Sequence, residues 1–266
     1  MKFCKGGKHL KIATWNINSI RAREARLLDW LSRASPDIVC LQEIKVTEDH
    51  FPFDAIKERG YHAAVHGQKT YNGVALLSRD PIEDVAAGFG DDVSDPQARC
   101  ISGIIQGIRF ISVYVPNGEN VGSEKYIYKQ EWLFRLLEYL GRIRTPGTSL
   151  IISGDFNIAP EAADVCDVEQ WSGTVLFNPE MSTMMKKLLD WGLEDVLRLH
   201  QKEAGIYSWW DYRQLAFPKN QGLRIDHILA TPELASRTTG ATVDRNERKG
   251  SKPSDHAPVI AELNWP

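Results

Sequence analysis

The chain has 266 residues, of which 42% are hydrophobic and 25% are charged, and its formal net charge is −3. This composition excludes a disordered or low-complexity chain, and the net charge gives no overall sign of a polyanionic partner. The four cysteines are widely separated, which excludes a zinc motif, and no apolar run approaches the length of a membrane span. We therefore expect a globular protein without a membrane segment, in the reducing environment of the cytoplasm.

The start of the chain predicts a basic leader followed by a strand, a helix and a strand. Residues 1–11 carry lysines but lack the apolar segment of a signal peptide, so we assign them to a leader and residues 12–266 to a single domain. Residues 12–16 and 37–42 predict strands, and residues 22–35 predict an amphipathic helix. This order is typical of α/β layer architectures.

The remainder of the chain continues with strands and helices. Further strands are predicted at residues 73–78, 101–106, 109–115, 150–153, 224–230 and 258–263. Helices are predicted over residues 124–141 and 179–191, with Gly192 placed to cap the second. No internal repeat, low-complexity tract or linker interrupts this pattern, which favours one domain over two.

Polar side chains stand at the ends of many of these strands. They are Asn16, Glu43, Tyr114, Asn117, Asp155, Asn157, Asp226 and the pair Asp255-His256. Turn preference alone accounts for an isolated Asp or Asn, but Glu and Tyr have no strong preference for turns. If the strand ends converge, these side chains form one site.

The chemistry of this set suits hydrolysis beside a phosphate. Its carboxylates are oxygen donors of the kind that bind Mg²⁺ or Mn²⁺: Glu43, Asp155, Asp226 and Asp255. His256 is a candidate for the proton-active or phosphate-binding group. Tyr114, Asn16 and Asn157 can donate hydrogen bonds to phosphate oxygens. Each of these residues taken singly is more often structural, so the prediction depends on their convergence.

Segments spread over the chain are similar to the exonuclease III family, the AP endonucleases and 3′-exonucleases of the endonuclease–exonuclease–phosphatase superfamily. They are WNINSIRAR (15–23), LQEIK (41–45), YNGVALLSR (71–79), YVPNG (114–118), GDFNIAP (154–160), YSWWDYR (207–213), GLRIDHIL (222–229) and SDHAPV (254–259). They occur in the order that the family shows and cover nearly the whole chain, so a chance match is implausible.

The resemblance implies a four-layer α/β sandwich, in which two mixed β-sheets pack face to face with helices outside. It also implies a Mg²⁺-dependent exodeoxyribonuclease III or AP endonuclease, with Mn²⁺ as the alternative ion. Such a DNA-repair phosphodiesterase cleaves duplex DNA 5′ to abasic sites, or removes nucleotides and blocking groups from 3′ ends, or does both. The expected partner is double-stranded DNA with abasic sites or with damaged or recessed 3′ ends, and the expected state is a monomer.

The resemblance also implies roles for the polar strand ends. Glu43 becomes the main ligand of the divalent metal, with Asn18 and Asp255 near it. His256, paired with Asp226, binds the scissile phosphate and supports its charge. The base for the attacking water is Asp155, with Tyr114 as a rival. The residues that orient phosphate oxygens are Asn16, Asn117 and Asn157.

Outside this set, the resemblance implies contacts to DNA. Trp209 and Leu223 match apolar residues that line a pocket for a base-less sugar, which excludes a normal base by its size. The candidates for contacts with backbone phosphates are Arg21, Arg23, Lys45, Tyr71, Asn72 and Arg213. Without the motif around them, Trp209 and Trp210 would be interpreted as core aromatics. The arginines alone would be interpreted as a solvated helix face.

Two positions depart from the family pattern. Ser19 stands where the family usually has glycine, so the turn at this position is expected to differ. Residues 162–177 lie where subfamilies differ in how they admit DNA, and a bulky side chain there would restrict internal abasic sites while admitting a 3′ end.

Three alternatives to this function stay open. One is a 3′–5′ exonuclease and 3′-phosphatase without incision at abasic sites. Another is a phosphoesterase of the same superfamily that acts on phosphoinositides, sphingomyelin or RNA. The last is a catalytically dead DNA-binding protein on the same fold. The YSWWDYR and GLRIDHIL segments favour the DNA-repair branch, and the intact polar strand ends favour an enzyme.

Overall fold

The computed structural model describes residues 8–145 and 147–265 of the chain. Most of the predicted leader, residues 1–7, lies outside this part. The first strand, β1, runs over Lys8–Asn16 and so begins four residues before the predicted start at residue 12. The extension pairs antiparallel with the last strand, and its period-two pattern buries Leu10 while leaving His9 exposed. Residues 8–11 therefore belong to the sheet and not to the leader.

The strands of the described residues form two six-stranded sheets, each with parallel and antiparallel neighbours. The first sheet has the order β11-β12-β1-β2-β4-β3, and its other strands are β2 (Ile38–Gln42), β3 (His62–His66), β4 (Val74–Ser78), β11 (Thr238–Val243) and β12 (Val259–Trp265). The second has the order β5-β6-β7-β8-β10-β9, with strands β5 (Glu83–Ala87), β6 (Cys100–Ile105), β7 (Ile108–Tyr114), β8 (Leu150–Asp155), β9 (Glu194–Asp195) and β10 (Asp226–Ala230).

The helices lie outside the sheets. They are α1 (Ile20–Ala34), α2 (Phe53–Glu58), α3 (Glu124–Ile143), α4 (Val168–Trp171), α5 (Pro179–Asp190), α6 (Val196–His200) and α7 (Pro232–Ala235). The long helices α1, α3 and α5 confirm the sequence prediction, because each buries one apolar face. No helix in the described part of the chain combines the length and the apolarity needed to cross a bilayer.

The hydrophobic core is divided into layers. Leu27 and Trp30 of α1 pack on the outer face of the first sheet, and α3 and α5 pack on the outer face of the second. Between the sheets, side chains such as Ile12, Phe110 and Ile151 form the central core. This arrangement confirms the four-layer sandwich.

A buried polar contact joins the two sheets inside this central core. The Gln42 side-chain amide donates to Thr14 Oγ1 and to Ser112 Oγ, each at 3.1 Å, and Ser112 Oγ donates to the Leu41 carbonyl. Since unpaired polar groups are costly here, the bonds favour one alignment of the sheets. That alignment brings the ends of β1 and β2 opposite the ends of β7 and β8.

The backbone of the turn before α1 favours glycine at position 19, where this chain has serine. Ser19 has φ 83° and ψ 106°, a region that residues with a Cβ rarely adopt, and its side chain makes no capping hydrogen bond. The turn is held because the Ser19 amide donates to the Glu43 carbonyl at 2.7 Å. The strained residue therefore links the segment after β1 to the segment after β2.

We expect Ser19→Gly to raise the free energy of unfolding by about 1 kcal/mol, because the relief of backbone strain exceeds the entropy cost of glycine. Urea unfolding measures the change. Ser32→Gly, at an exposed position inside α1, is the control and should lower the free energy of unfolding by about 0.5 kcal/mol. A loss of stability in Ser19→Gly comparable to the control would contradict the strain at this turn.

Candidate active site

The predicted polar strand ends converge at one end of the sandwich. In the second sheet, Asp155 lies directly opposite Tyr114 of β7 and Asp226 of β10. The first sheet supplies Asn16 from the end of β1 and Glu43 from just after β2. The two sheets therefore contribute to one site, as the sequence predicts.

Asn16 joins the two halves of the site. Its side-chain amide donates to Glu43 Oε1 at 2.8 Å and to Asp155 Oδ2 at 2.9 Å, and the residue is fully buried. Both N–H bonds of the amide are thus used inside the protein. Asn16 was predicted to donate to phosphate, but here its amide holds the two carboxylates at a fixed separation.

His256 is held by a buried carboxylate. Its Nδ1 lies 2.9 Å from Asp226 Oδ2, and its Nε2 lies 3.7 Å from Asp155 Oδ2. Burial alone would lower the pKa of His256, but the charges of Asp226 and Asp155 outweigh burial and raise that pKa above the usual range of histidine. The imidazole is therefore a cation at neutral pH, oriented by Asp226 and directed at the centre of the site.

Asp155 has the properties of a proton acceptor. Burial raises its pKa above the ordinary range of a carboxyl, the charges of Asp226 and Glu43 add to this, and His256 opposes it. A carboxylate whose pKa approaches the working pH is well suited to accept a proton from water. Burial and the charges of Glu43 and Asp155 also raise the pKa of Tyr114 well above its ordinary value, so the phenol stays protonated and is a donor.

The carboxylates can hold a divalent cation. Ligand atoms of Glu43, Asp155 and His256 all lie within 4.8 Å of one another, and two of the three residues are oxygen donors. The predicted partners of Glu43 bond to other groups: Asn18 Nδ2 donates to Asp255 Oδ1 at 2.8 Å, while Asp255 Oδ2 accepts from the Trp209 indole at 3.0 Å. The geometry thus groups Glu43 with Asp155 and His256, and the metal role of Asn18 and Asp255 stays a prediction.

Lys45 lies between Glu43 and Asn18. Its Nζ is 2.7 Å from Glu43 Oε2 and donates to Asn18 Oδ1 at 2.7 Å. The lysine was predicted to contact a backbone phosphate of DNA. In the structure its ammonium compensates the charge of Glu43.

A pair of asparagines lies beside Asp155. Asn117 Nδ2 donates to Asn157 Oδ1 at 3.1 Å, and Asn157 Nδ2 donates to the Val115 carbonyl at 2.9 Å. Asn157 has a left-handed backbone, with φ 50°, and its backbone N–H donates to Asp155 Oδ1 at 2.9 Å. The turn after β8 thereby fixes both the carboxylate and the neighbouring amide.

A cleft of about 520 Å³ borders the site on the side of Tyr114 and Asn117. Tyr71 is strongly exposed at its rim, whereas Asn72 is buried and donates to Gln68 Oε1 at 2.9 Å. Both residues line the cleft, as do Arg99 and Lys125. Tyr71 and Asn72 were predicted to contact backbone phosphates, and this role stays a prediction.

The arginines predicted to contact phosphate are in different environments. Arg21 and Arg213 are exposed. Arg23 is engaged within the protein, because it donates to the carbonyls of Asn18, Lys252 and Pro253. The phosphate contacts of Arg21 and Arg213 stay a prediction, while Arg23 fixes a loop next to the site.

A second cleft, of about 210 Å³, lies on the side of Trp209. Trp171 of α4 meets the Trp209 ring edge to face, with ring centroids 6.0 Å apart, and both residues line the cleft. Leu223 differs from the expectation, since its side chain is fully buried in the core. The two tryptophans form part of the lining of this cleft, and Trp171 is the largest of the three residues of segment 162–177 that reach it, the others being Cys166 and Gln170.

Sequence reasoning missed three supporting residues. Ser254 Oγ donates to the Asn16 carbonyl at 2.7 Å and accepts the His256 amide, and Ser208 Oγ accepts the amide of Asp226. Lys129 is fully buried in α3 behind the asparagine pair. Its signal was present in the sequence, because Lys129 falls on the apolar face of the predicted helix, in phase with Tyr126 and Trp132.

The chain is similar to known nucleases in both sequence and structure. Residues 13–256 match the profile of the Endonuclease/Exonuclease/phosphatase family. Exodeoxyribonuclease III of Haemophilus influenzae is 36% identical over 266 residues, which covers 96% of this chain and all of the relative. The 3′–5′ exonuclease NExo of Neisseria meningitidis is 42% identical with a TM-score of 0.94, covering 96% of this chain and all of that one. NExo, described as a 3′ phosphatase, has also been solved with a product DNA hairpin. An AP endonuclease of Archaeoglobus fulgidus is 41% identical with a TM-score of 0.92, covering 95% and 98% of the two chains.

Proposed function

The chain belongs to the endonuclease/exonuclease/phosphatase family, and on that basis we propose that it is a DNA-repair phosphodiesterase of the exonuclease III type. The observation that carries the proposal is the pairing of Asp155 with His256 across 3.7 Å. A proton acceptor and a fixed cation at this separation can both contact one phosphodiester from the same side. The relatives at 36–42% identity carry the names of exonucleases and an AP endonuclease.

Each side chain has a distinct part in the hydrolysis. Asp155 accepts a proton from the attacking water, and its raised pKa suits that transfer near neutral pH. The His256 imidazolium, oriented by Asp226, stabilises the negative charge that develops on the phosphate. Tyr114, which remains protonated, donates a hydrogen bond to a phosphate oxygen.

The donor set fits a hard divalent cation, and we propose Mg²⁺, with Mn²⁺ as the alternative. Glu43 would be its main ligand, with the carboxylate of Asp155 within reach. When bound, such an ion supplies positive charge that neutralises the phosphate oxygens. The residues of the chain orient the substrate and move the proton.

The substrate proposed for this site is double-stranded DNA with an abasic site or with a damaged or recessed 3′ end. The two clefts support this choice: one extends past Tyr114 along Tyr71 and Asn72, and the other is walled by Trp171 and Trp209. A backbone can lie along the first while the terminal or base-less sugar enters the second.

Three end-labelled duplexes test the function: one with an internal abasic-site analogue, one with a recessed 3′ end and one with a 3′-phosphate. Each is incubated with Mg²⁺ and, separately, with EDTA. We expect cleavage that requires the metal. Incision of the abasic duplex indicates an AP endonuclease, and action on the 3′ ends alone indicates the exonuclease and 3′-phosphatase alternative. If no duplex is cleaved, a superfamily phosphoesterase with another substrate replaces the proposal.

Trp171 controls the balance between these activities, because it narrows the cleft beside Trp209. We expect Trp171→Ala to raise incision at an abasic site relative to removal of a 3′ nucleotide by about tenfold, the size of effect that pocket volume commonly gives. The ratio of kcat/KM values on the two duplexes measures this. Trp191→Ala, at the end of α5, is the control. A ratio that stays constant or falls in Trp171→Ala would show that Trp171 does not restrict the cleft.

A further inference from the structure

A lysine without exposed surface lies behind the turn after β8, which carries Asn157 and is called the catalytic turn below. Lys129 of α3 is fully buried, and its ammonium donates to the carbonyl oxygens of Asn157 and Val175 at 2.7 Å and of Asn117 at 3.1 Å. Among the described residues, no ion pair includes Lys129 and no other hydrogen-bond donor reaches these three carbonyls. The three N–H bonds of the ammonium are therefore matched to three backbone acceptors.

This arrangement is costly for the fold. An ammonium removed from water without a carboxylate partner loses much of its solvation. Accordingly, burial lowers the pKa of Lys129 to about 7, although the negative charge of Asp155 opposes the change. A hydrophobic residue would fill the same apolar face of α3 at a lower cost. The lysine is thus better explained by the carbonyls that it holds than by the packing of the helix.

The three carbonyls belong to the three loops that border the site. Asn117 lies in the loop after β7, and Asn157 lies in the left-handed turn after β8. Val175 lies between α4 and α5, in the segment that carries Trp171 towards the second cleft. One ammonium therefore ties the catalytic turn to the loops on both of its sides.

The aliphatic part of the Lys129 side chain packs closely against Gly118. Gly118 has φ 99°, and a Cβ at this position would lie 3.2 Å from Lys129 Cδ. Glycine is thus required here both by the backbone and by the close approach of the lysine. The loop after β7 closes directly over the buried side chain.

We propose that Lys129 is a positioning residue, whose ammonium holds Asn117 and Asn157 in the arrangement needed for phosphodiester hydrolysis. The inference rests on the proposed function of the site. Without the ammonium, the turn after β8 loses the bond that fixes the Asn157 carbonyl, and the side chains of Asn157 and Asp155 shift together. Displacements of this kind slow catalysis with little effect on the binding of a long substrate, which is held by many distant contacts.

The test compares the wild-type chain with Lys129→Arg, Lys129→Gln and Lys129→Met on the duplex that the wild type cleaves best. We expect Lys129→Met to lower kcat by about 10- to 100-fold while KM changes by less than about threefold. Lys129→Arg, which keeps the charge and several donors, should recover most of the loss, and Lys129→Gln should be intermediate. Lys186→Met, at an exposed lysine of α5, is the matched control for loss of an ammonium.

The melting temperature of each variant separates positioning from stability. Folded variants that melt earlier but keep the wild-type kcat would overturn the inference and leave the function intact. If Lys129→Met does not fold, the order of kcat in Lys129→Arg and Lys129→Gln decides the question, since equal wild-type values in both contradict positioning. An inactive wild-type chain would instead overturn the proposed function and the inference with it.

Discussion

His256→Asn should lower kcat for cleavage of the preferred duplex by about 10²- to 10⁴-fold, the range expected for loss of a catalytic group. The asparagine amide can still donate to Asp226, so the fold of the site is retained. The positive charge that His256 directs at the centre of the site is lost, because an amide does not ionise. Single-turnover measurements with saturating enzyme report the chemical step directly.

The control for this substitution is His62→Asn, at an exposed position of β3. It should leave the rate unchanged. A His256→Asn chain with near-native turnover would remove His256 from the reaction, and the role of charge stabilisation would pass to another cation of the site, of which Lys45 is the nearest to Glu43.

Glu43→Ala should reduce activity by about 10²- to 10³-fold at low Mg²⁺, in line with the several kcal/mol that a metal ion contributes to such reactions. Higher Mg²⁺ or Mn²⁺ should restore part of the loss, because Asp155 still offers a carboxylate oxygen. The substitution also removes one of the two acceptors of the Asn16 side-chain amide, the other being Asp155. Glu43→Gln, which keeps an acceptor for Asn16 but lacks the charge, separates the two effects.

The measurement is kcat as a function of metal concentration, with Glu48→Ala, at an exposed acidic position, as the control. Both Glu43 variants should require more metal than the wild type for half-maximal activity. Activity that is unchanged at low metal would refute Glu43 as the main ligand.

The parts of the fold that were predictable are those with a strong hydrophobic pattern. Strands β2, β4 and β8 are buried on both faces and appear in the sequence as continuous apolar runs. Strand β5 was missed because every one of its residues is exposed, and β3 and β11 were missed because they lie at sheet edges with few buried side chains. An edge strand is defined by its partner, which local sequence does not show.

The membership of the site was predictable because each polar residue lies next to one end of an apolar run, after it in the case of Asn16 and before it in the case of Asp226. The contacts within it were not, since they depend on how the two sheets face each other. Asn16 was expected to meet phosphate, yet its amide lies between Glu43 and Asp155. Leu223 was expected at a pocket surface, yet the backbone pairing with Trp209 places it in the core. In both cases the sequence identified the residue as part of the site region. Its contacts could not be predicted, because they depend on tertiary packing.

The division of the site between distant parts of the chain has a consequence for biosynthesis. Strand β12 inserts between β11 and β1, and the residues just before it, Ser254 and His256, bond to the backbone of Asn16 and to the indole of Trp15. A chain whose synthesis stops before residue 254 holds Glu43 and Asp155 without His256, and its strand β1 lacks the antiparallel partner β12. Such an incomplete product neither closes the first sheet nor completes the site.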